Sequence, residues 1–264
     1  MSFVPPGSGW PGDVATPQTP VARSAAGVRR LAAGSPDLRT LDARSTVCRA
    51  CPRLVAWREH VADVKRRAYA EETYWGRPAA GFGDPAAHLL VVGLAPAAHG
   101  ANRTGRLFTG DRSGDWIFAA LHRAGYANQP TSVSADDGLE LTGARMVPAV
   151  RCAPPDNKPT PDERAACAGW LHREIVLVEE TTTAVLALGG IAWQATLAAL
   201  VALGWQVPRP RPAFGHGAEA VVTSPSGRRV SVLGCYHVSQ QNTFTGRLTE
   251  AMLDDVLARC RATA

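Results

Sequence analysis

Lysine is almost missing from this chain: Lys65 and Lys158 are the only two, and the rest of the basic charge is arginine. Isoleucine occurs only at 117, 175 and 191, and asparagine only at 102, 128, 157 and 242. A biased genomic composition produces such shortages, so arginine richness alone says nothing about nucleic acid. A surviving asparagine, by contrast, draws interest. The opening residues, MSFVPPGSGWPGD, have neither a basic stretch nor an apolar run, which argues against a secretory leader and hence against structural disulfides. Charged residues make up 19% and hydrophobic residues 45%, which excludes a disordered or fibrous chain. The net charge of +5 permits a polyanionic partner without requiring one. One long stretch, Thr181 to Pro208, has no charge at all and is long enough to span a bilayer. Gly189-Gly190 divides it, however, and Gln194 and Thr196 interrupt its second half. It reads as a buried strand, a tight turn and an alanine-rich helix, so a soluble protein with no membrane partner is expected.

The 264 residues can bury a real core. Residues 1–40 are rich in Pro, Gly, Ala and Ser and read as an irregular, loosely attached N-terminal extension; residues 41–264 read as one domain. A helix is expected over 52–70. HLLVVGL (88–94), a continuous apolar run, reads as a strand covered on both faces. Further strands are expected at 144–150, where Pro148 limits hydrogen bonding, at 183–189, and at 219–223 and 228–236, the last two as a hairpin. Helices are expected at 115–126, from Pro161 onward with Thr160 as cap, at 191–203 and at 247–260. Strands alternating with helices imply a mostly parallel central sheet with helices on both faces. Such sheets place their sites at the carboxyl ends of strands. Three chemically rich loops fall there: 95–114, 151–160 and 236–246.

Six cysteines are present. Cys48 and Cys51 form C-x2-C; Cys152 follows a strand and Cys167 lies in a helix. Two close thiolates plus two brought in by the fold suit tetrahedral zinc or a [4Fe–4S] cluster, and the spacing does not separate these. The plainer reading is buried, unligated thiols. Cys235 and Cys260 read as ordinary core.

The loop Gly93–Gly114 has glycines that admit a close ligand, Phe108 to stack on a flat base, and Asp111 to orient water or merely to cap a helix. The loop Tyr236–Thr249 gathers His237, Ser239, Gln240, Gln241, Asn242 and Arg247. Singly, each is most simply a satisfied surface group; together at sheet ends they suggest flat polar recognition.

G-L-A-P-A at 93–97, its continuation through Phe108-Thr109-Gly110-Asp111, and H-V-S-Q-Q-N at 237–242 resemble the two signature motifs of the uracil-DNA glycosylase superfamily. The four cysteines and R-C-A-P-P-x-N-K-P around Cys152 resemble its iron–sulfur branch, and the GLAPA form is similar to family 5, the B-type bacterial and archaeal enzymes. The resemblance runs in order over about residues 45–260. It implies a three-layer α/β/α sandwich with a central mostly parallel sheet, and a structural [4Fe–4S] cluster at one side on Cys48, Cys51, Cys152 and Cys167. It implies hydrolysis of the N-glycosidic bond of uracil and other deaminated bases in DNA, hypoxanthine first and xanthine as a further candidate, leaving an abasic site. Ala95 stands where other branches carry a water-activating polar residue, and Pro148 where family 4 relatives carry a uracil-reading Asn; both fit a broad substrate range.

On this reading His237 donates to the leaving base, Asp111 orients water or stabilises the sugar cation, and Phe108 stacks under the base. Asn157 and Asn242 fix base, sugar or nearby backbone, Gly93 and Ala95 line the pocket, and Ser239, Gln240, Gln241 and Arg247 meet the minor groove. The expected partner is damaged DNA with a flipped base, bound by a monomer in the cytoplasm of a bacterium or archaeon, at the nucleoid. Two other classes remain: a zinc- or cluster-stabilised nucleic-acid-binding protein without catalysis, and a redox iron–sulfur enzyme.

Overall fold

An apolar run with no polar face has to be covered on both sides, and the strand at 89–93 shows how. In the computed structural model, which describes residues 3–263, Leu89 and Val91 point into one core and Leu90 and Val92 into another. Among the described residues the sheet has six strands: β1 (Phe82–Gly83), β2 (Leu89–Gly93), β3 (Ala144–Pro148), β4 (Ala184–Leu188), β5 (Glu219–Thr223) and β6 (Arg229–Cys235). Their order is β1-β3-β2-β4-β6-β5. The four inner strands β3, β2, β4 and β6 run parallel, and the short edge strands β1 and β5 are antiparallel to their neighbours. Pro148 is tolerated in β3 because it pairs only with Gly93 of β2; β1 reaches no further along β3 than Met146, so the missing N–H faces no partner strand.

Among the described residues nine α-helices surround the sheet: α1 (Ala25–Ala33), α2 (Leu38–Thr46), α3 (Pro52–Val64), α4 (Ala101–Thr104), α5 (Arg112–Arg123), α6 (Pro161–Val178), α7 (Gly190–Ala202), α8 (Gln240–Phe244) and α9 (Glu250–Arg261). On one face α5 and α9 bring Ile117, Phe118, Leu253 and Leu257 against β2 and β4. On the other, α6 and α7 bring Ile175, Val178, Trp193 and Leu197. The result is the expected α/β/α sandwich. The uncharged stretch 181–208 divides into β4 and α7, and no helix among the described residues is long and apolar enough to cross a membrane. Thr160 caps α6 through a full capping box with Glu163. The helix expected over 52–70 stops at Val64 because Lys65 turns left-handed, at φ +58°. The one expected from 115 starts earlier, at Arg112, because Asp111 is its cap.

The N-terminal segment differs most from expectation. Far from hanging loosely, it holds α1 and is packed down along its length. Val4, Ala15, Ala22 and Val28 are buried, and Val28 meets α6 at Gly169, where a Cβ would come within 3.1 Å of the Val28 side chain. Trp10 packs on Trp75 at 5.9 Å between ring centroids and donates to the Thr104 carbonyl. Asp13 pairs with Arg77 at 2.7 Å, and the Arg77 guanidinium lies 4.1 Å over the Trp75 ring. Composition hid this, because isolated apolar residues spaced along a Pro- and Gly-rich stretch have no periodicity to detect.

Both side chains of the Asp13–Arg77 pair are almost wholly out of water. Removing one partner from a buried pair costs about 3–5 kcal/mol. Asp13→Ala is therefore expected to destabilise the whole domain by that amount in denaturant melts; a loss below about 1 kcal/mol, the scale of an exposed pair, would make the segment a peripheral attachment.

Candidate active site

Parallel strands end together. Gly93 of β2 lies opposite Pro148 of β3, and Leu188 of β4 opposite Cys235 of β6. The three loops that leave these ends surround a cavity of about 390 Å³, in the size range of small-molecule and cofactor sites. Gly93, Ala95 and Pro148 form part of its lining. Phe108, Asp111, Asn157 and His237, from all three loops, also face it, as do Ser239 and Gln241.

Phe108 is held in place by two glycines. Its backbone is left-handed, φ +52°, which costs a side-chain-bearing residue about 1–2 kcal/mol. Gly114 makes room for that turn: a Cβ there would sit 1.9 Å from the Phe108 carbonyl oxygen. At Gly93 a Cβ would come within 3.1 Å of the ring. So fixed, the ring faces His237 at 6.3 Å between centroids and 35° between planes. Strain of this kind, locked by its surroundings, is characteristic of ligand sites.

Asp111 caps a helix and also faces the cavity. Its Oδ1 accepts from the Gly114 N–H at 3.0 Å and caps α5, while the residue also lines the cavity. Its other oxygen occupies the space over Gly100, where a Cβ would be 2.1 Å away. Burial raises its carboxyl above the ordinary value, against the lowering effect of the Gly114 and Ser113 N–H groups.

His237 follows β6 closely, beside Gly189, whose φ of +91° turns the chain from β4 into α7. Burial lowers the imidazole from 6.5, so the ring is neutral at pH 7. Asn242 does not line the cavity. It donates from Nδ2 to the His237 carbonyl at 2.8 Å and so holds the backbone that presents the ring. Asn157 lies in a turn where it and Asp156 are both left-handed, at φ +56° and +52°, a conformation that Asn and Asp tolerate better than most residues. Asn102, the third asparagine in these loops, points away and donates to the Arg58 carbonyl.

Gln240 and Arg247 are exposed on the last loop, outside the cavity. The Arg247 guanidinium lies 4.6 Å over the Tyr236 ring. Phe244, at the end of α8, is 68% exposed, with Arg112 5.9 Å from its ring. Sequence reasoning passed over Phe244, Ser113 and Asp156. The signal for Phe244 was a lone aromatic in a polar loop; Asp156 stood beside an asparagine already singled out.

Cys48, Cys51, Cys152 and Cys167 line a second, much smaller space together with Arg58, Arg151 and Trp170. Burial, then the nearby Cys152 and Cys48, push the Cys51 thiol up to about 12, and the same causes raise Cys167. These thiols feel one another's charge, so positive charge among them favours ionising them together. The donor set suits a soft metal–sulfur centre. No group of three or more His, Cys, Asp or Glu side chains among the described residues is arranged to hold a metal ion as it stands. Cys235 and Cys260 are buried in the main core, as expected of packing thiols.

The sequence comparisons agree with this geometry. The family model described as Uracil DNA glycosylase superfamily matches residues 80–261. The chain is 58% identical over 263 residues to the "Type-5 uracil-DNA glycosylase" of Mycobacterium tuberculosis, covering 100% of this chain and 95% of that one. It is 50% identical over 219 residues to the protein of the same name from Thermus thermophilus, covering 83% and 94%. The corresponding protein of Pyrobaculum aerophilum is 46% identical over 217 residues, covering 82% and 89%. With its parallel strand ends, its two loop motifs and these likenesses over nearly its whole length, the chain belongs to the uracil-DNA glycosylase superfamily, in the type-5 branch.

Proposed function

We propose that the protein is a DNA repair hydrolase that cleaves the N-glycosidic bond of uracil and of other deaminated bases in DNA, hypoxanthine and then xanthine, and leaves an abasic site. The observation that carries this reading is the convergence of Phe108, Asp111, Asn157 and His237 on one cavity at the carboxyl edge of the sheet. One chain supplies the whole cavity, in keeping with action as a monomer. Cys48, Cys51, Cys152 and Cys167 would hold a [4Fe–4S] cluster, whose contribution when bound is to fix the chain segments that carry its ligands.

As the bond breaks, the sugar gains cationic character and the base leaves as an anion. Fixed groups that meet those charges lower the barrier. The target base must first leave the duplex stack, at least cost when it is mispaired. The Phe108 ring offers it a stacking surface. A neutral imidazole at His237 has one N–H to donate, and it can do so to the base oxygen where anionic charge collects. The Asp111 carboxylate meets the sugar cation or orients the attacking water. Pro148 offers no side-chain donor or acceptor to the base. A site without a polar reader discriminates weakly among analogues, which supports a range of deaminated bases over uracil alone. The test is incubation with duplexes carrying uracil, hypoxanthine or xanthine, followed by alkaline cleavage at abasic sites. Removal of uracil and of at least one deaminated purine is expected, and strict uracil specificity would contradict the proposed breadth.

Single-turnover rates separate catalytic roles from structural ones. His237→Ala is expected to lose about 10²–10³ in rate, the worth of one preorganised donor. Asp111→Ala is expected to lose up to about 10⁴ on uracil, the upper reach of a positioned base, besides about 1 kcal/mol of stability from the lost cap. An Asp111→Ala protein that melts earlier but cleaves at the parent rate would reduce Asp111 to a cap.

The pH profile follows from the same groups. Asp111 works ionised and its carboxyl is raised by burial, so activity falls as pH drops through that raised value. His237 works neutral and is lowered below 6.5, so it adds no limb of its own above pH 6.5. Asp111→Asn should remove the acid limb that belongs to the carboxylate. A limb centred above 6.5 that vanishes with His237→Ala would assign the titration to the imidazole.

Arg247 is exposed on the loop that follows His237, beside the Tyr236 ring, and is available to a phosphate backbone. Each phosphate neutralised by the protein adds about 0.9 to the slope of log affinity against log salt. Arg247→Ala should lower that slope by roughly this amount and weaken binding alike across sequences; an unchanged slope would leave it a solvated side chain.

A further inference from the structure

The space bounded by the four cysteines also holds two arginines, Arg58 and Arg151, and each is only 1% exposed. A buried guanidinium must find acceptors for its five donors. Arg151 has one in Glu174, and Arg145, Asp42 and Glu174 complete a set in which two positive charges meet two negative ones. Arg58 has no such carboxylate of its own. Glu59 stands 3.9 Å away and is already held by Arg49. Arg58 turns instead to the cysteines. Its Nη1 donates to Cys152 Sγ at 2.9 Å, and its Nη2 to the Cys48 carbonyl at 3.1 Å. Its Nε, together with Nε and Nη1 of Arg151, is buried with no acceptor. Unsatisfied cationic donors of this kind belong where an anion completes them.

We infer that Arg58 is the counter-charge and thiolate anchor of the metal–sulfur cluster. This rests on the cluster assignment made above. A cluster held by four thiolates carries net negative charge in a buried site. Arg58 meets that charge and donates directly to a ligand sulfur, and these are two of the factors that set a cluster's retention and potential. It is a positioning residue: it acts through Cys152 and does not touch the base. The same residue explains Asn102. The Asn102 amide reaches out of the first pocket loop to the Arg58 carbonyl at 3.1 Å, so α3 is tied to the cysteine site by its side chain and to the pocket loop by its backbone.

The test uses full-length protein, purified without oxygen, as parent, Arg58→Met and Arg58→Lys. Iron per chain, the rate of iron loss to a chelator, and the midpoint potential from a redox titration followed by electron paramagnetic resonance are read for each. Arg58→Met is expected to lose iron about 10-fold or more faster, the scale of outer ligand-partner losses. Its potential should be more negative, because removing positive charge disfavours adding an electron. Arg58→Lys keeps the charge but not the fork, so its potential should stay near the parent's while iron loss is intermediate. A folded Arg58→Met protein with parental iron retention and parental potential overturns the assignment of Arg58 and leaves the cluster standing. A parent protein without iron overturns the cluster reading itself. Should Arg58→Met not fold, Arg58→Gln, which keeps a donor for the Cys48 carbonyl, decides by the same measurements.

Discussion

Glu174 is the fully buried carboxylate on which the rest of the molecule is hung. Burial alone would drive it to hold its proton, but the guanidiniums of Arg151 and Arg145 reverse that and keep it ionised. Arg145 belongs to β3, Arg151 to the segment just past its end, and Asp42, the other partner of Arg145, to α2. One charged knot thus fixes helix, strand and exit loop relative to one another inside a dry core. Its worth lies in placement more than in stability, since a buried ion pair roughly breaks even against apolar packing.

What that knot places is the segment after Arg151. Within a few residues it provides Cys152 to one site and Asn157 to the other. The backbone N–H of Arg151 itself donates to Cys167 Sγ. The cysteine site and the pocket therefore share a wall. Asn102 and Arg58 make a second, separate link between them. This arrangement joins the cysteine site to the pocket through two separate contacts.

The layout of the sheet was legible because its strands are unambiguous: LLVVG and AVLAL alternate between two cores with no polar residue to excuse. The hairpin of β5 and β6 and the cap at Thr160 followed from local chemistry in the same way. The pocket was legible as a set of loops, but the task of each asparagine was not. Asn102, Asn157 and Asn242 are alike in sequence, yet only Asn157 faces the cavity; which way an amide points is decided by the packing around it. Phe244 showed in the sequence only as a lone aromatic in a polar loop, because exposure is a property of the fold. The N-terminal segment misled because Val4, Trp10 and Asp13 each act through a partner some 60 to 100 residues away, and composition records no partners.

The glycines of the first loop have a consequence for how this protein can change. Asp111 and Phe108 are keyed into the vacant side-chain spaces at Gly100 and Gly114, so the two positions form a lock whose tumblers never meet the substrate. Exchange of either glycine for any larger residue would displace Asp111 or Phe108 while leaving every residue of the pocket in the sequence. Variants that deform the pocket would then fall in part at silent-looking glycines, and a survey of pocket-lining side chains alone would score those variants as intact.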